Sequence, residues 1–234
     1  PPWVAPLYER MPNVGSVIAA PFTHGRFDLT TRWQLGRALR AHCYQNAYIL
    51  PNSLKSALPT FFAGIPNRIG FTGESRYGLI NQRQKLDKQL LPRMVDRFLA
   101  LGPTGRTKLD ADIPQLSAVP GAFERLRQTL GLTLHGKLAI LCPGAEYGPA
   151  KRWPAQHFAA LAHRLSQAGY TIWTIGSAKD QEIGASIEAL SDGTAINLCG
   201  RTKLADAIDL MSGADIVVSN DSGLMHVGAA LHRP

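Results

Sequence analysis

The sequence predicts an α/β protein of two domains, each built on a parallel, doubly wound sheet. Three observations carry that expectation. Short apolar runs alternate with amphipathic stretches along most of the chain, the pattern of strands joined by crossover helices. A stretch rich in Pro, Gly and polar residues, 102–121, interrupts the alternation near its middle, as an interdomain linker does. The length of 234 residues suits one or two domains with a sizeable core.

In the first half, 16–20 and 47–50 read as strands, and 31–42, 54–63 and 90–101 as helices. The second half is more regular. Residues 137–142, KLAILC, form an apolar run that stops at Pro143-Gly144. Pro154 suits the first turn of a helix over 154–168, Gly169 suits its end, and Phe158, Leu161, Ala162 and Leu165 share one face. Strands at 170–175, 195–199 and 215–218 then alternate with helices at 180–190, 204–211 and about 222–231. The expected division is a first domain over 1–105, a linker over 106–120 and a second domain over 121–234.

Composition excludes several classes. A chain that is 45% hydrophobic and 18% charged is ordinary for a globular protein. No run approaches the ~18–20 apolar residues of a membrane span. The opening Pro1-Pro2-Trp3-Val4 has neither the basic start nor the apolar stretch of a signal peptide. Cys43, Cys142 and Cys199 are far apart and lie in or beside apolar segments. They are expected to be buried free thiols in a reducing cytoplasm, and no metal site is expected. Charge is uneven: residues 1–108 carry +10 and residues 109–234 carry −2. The first half should therefore meet something anionic. Its cations are dispersed, without the aromatic-basic signature of an RNA-binding sheet, and no nucleic-acid partner is expected.

Three corners carry candidate chemistry, each following a predicted strand, where open α/β sheets bind ligands. In PGAEYGPAKRWP, 143–154, glycines permit close backbone approach and Lys151 stands just before a helix start, where free amides favour phosphate. In IGSAKDQE, 175–182, Asp180 can accept hydrogen bonds from ribose hydroxyls or complement a helix dipole. In SNDSGLMH, 219–226, Asp221 can cap the helix, Ser222 and Gly223 can expose first-turn amides, and His226 lies one turn after Ser222. A GxSxG nucleophile motif is excluded because position 220 is Asn. Together the three corners suggest a sugar nucleotide lying across the second domain.

GAEYGPAKRWP, GSAKD and SNDSGLMHVGAAL resemble the ADP-heptose:lipopolysaccharide heptosyltransferases of glycosyltransferase family 9. LPNSLKSALPTFFAGIP and RIGFTGESRYGLIN extend the likeness over nearly the whole chain, and resemble the members that act on an already heptosylated acceptor. The resemblance implies a GT-B fold of two Rossmann-like domains, here truncated at both ends. It implies ADP-heptose as donor with no cofactor, Lys151 on the diphosphate, Asp180 on the ribose, and Thr202 to Leu204 along the adenine. Asp221 is implied on heptose hydroxyls, with Ser222, Gly223 and His226 around the phosphates. Lys55 and Arg76 are the choices for meeting the acceptor. The implied acceptor is the heptosyl-Kdo-lipid A inner core of lipopolysaccharide, met by a cytoplasmic enzyme peripheral to the inner membrane of a Gram-negative bacterium.

The implied reaction inverts the anomeric centre in one displacement. Family members carry the general base in a segment to which nothing in this sequence corresponds, and neither Asp28 nor Glu74 is assigned that role; the chain alone is therefore expected to be inactive. The alternatives are a heptosyltransferase acting on the unheptosylated acceptor or another member of the family, a non-catalytic nucleotide- or glycan-binding module, and a protein that binds anionic membrane surfaces.

Overall fold

The computed structural model describes residues 2–23, 25–102, 114–145 and 149–234. Within these, the elements run α1 (Ala5–Glu9), α2 (Leu29–Leu39), β1 (Asn46–Ile49), α3 (Leu54–Phe62), β2 (Asn67–Phe71), β3 (Gln82–Gln84) and α4 (Met94–Ala100). They continue as α5 (Ala122–Thr129), β4 (Lys137–Cys142), α6 (Ala155–Gln167), β5 (Tyr170–Thr174), α7 (Gln181–Leu190) and β6 (Ala195–Asn197). The chain closes with α8 (Leu204–Met211), β7 (Ile216–Ser219) and α9 (Gly223–Ala230). Contacts divide it into two compact units, one of Pro2 with 19–102, the other of 3–18 with 114–234.

The first unit holds a parallel three-stranded sheet in the order β1-β2-β3. The 16–20 segment forms no strand, although its residues are apolar; it pairs with neither sheet. Trp3–Ile18, grouped with the first domain from sequence, packs in the second unit. There Leu7 and Met11 lie against the core, and Arg10 makes a two-pronged bond to the buried Asp209 at 2.8 and 2.9 Å. Of the linker expected over 106–120, residues 106–113 lie outside the described residues, and Leu116 is buried in the second unit's core. Cys43 departs from the expectation of a buried thiol: it is exposed, in a left-handed conformation after a 3₁₀ turn.

The second unit holds a parallel four-stranded sheet in the order β6-β5-β4-β7. Both faces are covered. Leu138, Ile140 and Cys142 of β4 enter one core cluster with Trp173 and Ile208, while Ala139 and Leu141 enter the other with Phe158 and Ile187. This two-residue alternation between two buried faces explains why the strand reads as an unbroken apolar run. The order also fixes where a ligand belongs. The chain steps outward from β4 through β5 to β6, then crosses back to lay β7 on the other side of β4. The carboxyl ends of β4 and β7 therefore flank a topological switch point, where loops diverge and leave a crevice.

Candidate functional site

The loops leaving β4 and β7 meet through their charged side chains. After β4, the chain makes a 3₁₀ turn over Pro149–Lys151 before α6 begins. After β7, Asn220-Asp221 leads into Ser222, which holds an extended conformation and precedes α9. Lys151 Nζ donates to Asp221 Oδ2 at 2.5 Å across the switch point. Both side chains remain open to solvent, at 46% and 62% exposure, so the pair adds little to stability and both groups can reach a ligand.

The Lys151 ammonium, first through its hydrogen bond and then through its charge, holds the Asp221 carboxyl below the usual carboxylate range; His226 contributes charge in the same direction. Because the folded value is depressed, any stability the pair contributes is present above the ordinary carboxylate pKa and is lost as pH falls through the lowered one. An NMR titration of the Asp221 carboxyl should place its midpoint below ~3.9, the ordinary Asp value, and Lys151→Ala should return it towards that value. Equal midpoints in the two proteins would contradict the pairing.

Asp221 does not cap α9. Ser222 is the capping position, and its hydroxyl makes no cap bond to the helix; it lies 3.2 Å from Ser219 Oγ instead. A Cβ built on Gly223 meets nothing within 4 Å, which leaves the first turn of α9 uncrowded. His226, one turn along, is exposed. Sequence placed all four residues at one corner, and the structure keeps them there.

Asp180 sits deeper, at 9% exposure, at the end of a 3₁₀ turn that leads into α7. Its Oδ2 accepts from Ser177 N at 2.8 Å and Ser177 Oγ at 2.7 Å. One oxygen is thus committed to a local cap, and Oδ1 carries neither of those bonds. Gly144 presses on this carboxylate: a Cβ there would lie 2.7 Å from Asp180 Oδ2. Gly144→Ala should therefore displace Asp180 and cost about 1–3 kcal/mol, as overpacking does, read as a lower urea midpoint at unchanged slope. An unaltered midpoint would show that the loop yields freely. Thr202 follows β6, and its buried Oγ1 has no hydrogen-bond partner among the described residues. An open polar cleft of about 300 Å³ lined by Arg152, Lys179, Glu182, Ile183 and Ser186 lies beside the Lys151 turn and the start of α7.

The first unit's two candidates fare differently. Lys55, in the first turn of α3, is partly exposed, and among the described residues its Nζ makes only a long 3.5 Å contact to Arg26 O. Arg76 is 3% exposed. Its guanidinium donates to the carbonyls of Pro51, at 2.8 Å, and Phe71, and more weakly to Asn52 Oδ1 and Ser56 Oγ. Burial pushes its pKa down, with Glu74 opposing. Arg76 braces the loops after β1 and β2; it is not the free cation its charge suggested. Asp28 and Glu74 both serve helix starts, Asp28 accepting from Thr31 N at 3.3 Å and Glu74 from Leu54 N at 2.8 Å. Cys142 and Cys199, behind the site, are pushed up by burial to about 12 and about 11 and stay protonated thiols.

Sequence reasoning missed Asn220. It is 9% exposed, and its side chain bonds to both arms of the β4–α6 connection. The one available signal was a polar residue directly after an apolar strand, and it was used only to exclude a nucleophile motif.

With this geometry described, residues 32–234 match glycosyltransferase family 9 (heptosyltransferase). The chain belongs to glycosyltransferase family 9. Its family 9 relatives include lipopolysaccharide heptosyltransferase 2 of Escherichia coli K12, 44% identical over an alignment of 245 positions that covers all of this chain and 70% of the relative. The solved structure of the E. coli ADP-heptose lps heptosyltransferase II superposes with a TM-score of 0.87 at 42% identity, over the whole chain and 72% of that protein. This family 9 chain is therefore a glycosyltransferase of GT-B architecture. Lipopolysaccharide heptosyltransferase 1 of Pseudomonas aeruginosa is 31% identical, over 42% of this chain and 30% of its own length.

Proposed function

We propose that the protein transfers heptose from ADP-heptose to the first heptose of the lipopolysaccharide inner core. The Lys151–Asp221 pair across the switch point is the observation that carries this reading. A donor sugar diphosphate needs a cation for its leaving group and a carboxylate for its hydroxyls, and the pair presents both in one place. Lys151 takes the diphosphate, and Asp221 Oδ1 accepts from heptose hydroxyls. Ser222, Gly223 and His226 surround the phosphates from the start of α9. Asp180 Oδ1 accepts from the ribose, and Thr202 lines the adenine side. The donor brings its own leaving group, so the reading invokes no cofactor.

In the displacement, the acceptor hydroxyl oxygen bonds to the anomeric carbon from the side opposite the diphosphate. The carbon–oxygen bond to the diphosphate breaks, ADP leaves, and the hydroxyl proton passes to a general base. Asp28 and Glu74 are engaged in capping and are not assigned that step. The +10 charge of residues 1–108 complements a phosphorylated, carboxylate-bearing acceptor, and Lys55 is the first unit's candidate contact. The same acceptor, carried on lipid A, places the protein at the cytoplasmic face of the inner membrane as a peripheral enzyme. No helix among the described residues is long and apolar enough to cross a membrane.

Likeness to heptosyltransferase 2 over the full chain, against a partial match to heptosyltransferase 1, favours the heptosylated acceptor over the bare one. A transfer assay offering Kdo-lipid A with and without its first heptose, run on the protein joined to a family 9 segment that carries the general base, tests this choice. Incorporation confined to the heptosylated acceptor is expected; transfer to the bare acceptor would overturn the assignment.

A further inference from the structure

Lys151 and Asp221 stand seventy residues apart in sequence, on two loops of different strands, yet their charged atoms meet at 2.5 Å. Long side chains on separate loops hold no fixed spacing unless the backbones beneath them are tied. Asn220 supplies the tie. Its Nδ2 donates to Pro143 O at 2.8 Å, where the chain leaves β4, and its Oδ1 accepts from Trp153 N at 3.2 Å, where the chain is about to enter α6. Its own backbone N donates to Cys142 O at 3.3 Å. One side chain of β7's loop therefore grips both ends of the segment that carries Lys151. It does so from the position next to Asp221 on one side and two residues from Lys151 on the other. We propose that Asn220 is the positioning residue of the donor site, setting the reach of Lys151 over Asp221 and thereby the grip on the diphosphate.

The chemistry of the position fits asparagine and few other residues. A carbonyl faces one end of the amide and an N–H the other, so the side chain must offer a donor and an acceptor in one plane. Aspartate keeps the acceptor for Trp153 but turns a second acceptor, with a charge, onto the Pro143 carbonyl. Leucine matches the shape and leaves two backbone groups unanswered. Alanine removes the tie and leaves the loop's far anchor, the edge-to-face contact of Trp153 with Phe158 at 5.0 Å, in place.

The inference rests on Lys151 as the diphosphate contact, and the test separates the two claims. Calorimetric titrations with ADP compare the unaltered protein with Asn220→Ala, Lys151→Ala and the double variant. A misplacement of about 1 Å can cost up to ~100-fold, and Asn220→Ala should weaken ADP binding by roughly 10-fold. In the Lys151→Ala background the same change should have no further effect, because nothing remains to be positioned. A loss of equal factor in both backgrounds, or none in either, would overturn the positioning role. If Lys151→Ala alone leaves ADP binding unchanged, the diphosphate assignment fails instead. Should Asn220→Ala not fold, Asn220→Ser, which adds no charge beside Asp221, and the NMR titration of Asp221 serve: its midpoint should move towards the ordinary carboxylate value as it does in Lys151→Ala, and an unmoved midpoint would contradict the proposal.

Discussion

In the protein joined to a family 9 segment that carries the general base, Lys151→Ala is expected to lower the rate of heptose transfer by about 10²–10³, the cost of removing one preorganised charge-stabilising donor. Ground-state donor affinity should fall less, by roughly 10- to 100-fold, the worth of one charge-assisted hydrogen bond. The two effects differ because the leaving diphosphate gains negative charge as the bond breaks, and the ammonium meets that gain. The variant also exposes the diphosphate to Asp221, whose carboxylate Lys151 otherwise neutralises. Lys151→Arg should restore part of the rate, since charge returns with a different reach. Folding should be untouched, for the pair is exposed and such pairs add little to stability. Steady-state kinetics alongside thermal unfolding check both statements. A rate within a few-fold of the unaltered protein would remove Lys151 from the chemistry.

The largest effect on stability is expected at Trp173. It is fully buried in the middle of β5, packs with Leu138, Ile140 and Ile208, and stacks on Phe123 at 6.1 Å between ring centroids. Trp173→Ala should cost about 3–5 kcal/mol through lost transfer energy and the cavity left behind. Against a total of about 5–15 kcal/mol for an ordinary domain, that change threatens folding altogether. Trp173→Phe is a sharper probe. The indole N–H is buried without a partner among the described residues, a group that costs about 1–3 kcal/mol to bury unpaired. Phenylalanine deletes that donor while keeping a ring against Phe123, so the two effects offset and the net cost should stay below about 1.5 kcal/mol. Urea unfolding of both variants reads the difference. Equal losses would show that a phenyl ring kept against Phe123 recovers nothing, and would contradict this account.

The second unit was legible in sequence because its central strand β4 is buried on both faces and β7 is an apolar run beside it. Residues 137–142 and 215–218 have no polar alternation to confuse, and each ends at a Gly, Pro or Asn corner that the structure places at a loop. β3 was not legible: Gln82-Arg83-Gln84 is an edge strand of polar residues, held by backbone pairing to β2 that leaves no hydrophobic signature. Residues 16–20 failed in the opposite sense, apolar but without a pairing partner. At the candidate site, the placement of Lys151, Asp221, Ser222, Gly223 and His226 at the carboxyl ends of β4 and β7 was legible because each lies in a short motif directly after an apolar strand. The bonding of Arg76 and Asn220 was not legible for one shared reason. Their side chains hydrogen-bond to backbone groups elsewhere in the chain, and a residue's own type says nothing of whether such partners take up its charge or its amide.

We propose the SNDSGLMH corner as one wall of a sugar-nucleotide site. Its most direct test is a calorimetric titration with ADP-heptose, with a UDP-sugar as control and circular dichroism confirming the fold. Selective binding of ADP-heptose, weakened by Asp221→Ala, is the predicted result. Equal binding of both nucleotides by the folded protein, or affinity for ADP-heptose that survives Asp221→Ala unchanged, would contradict it.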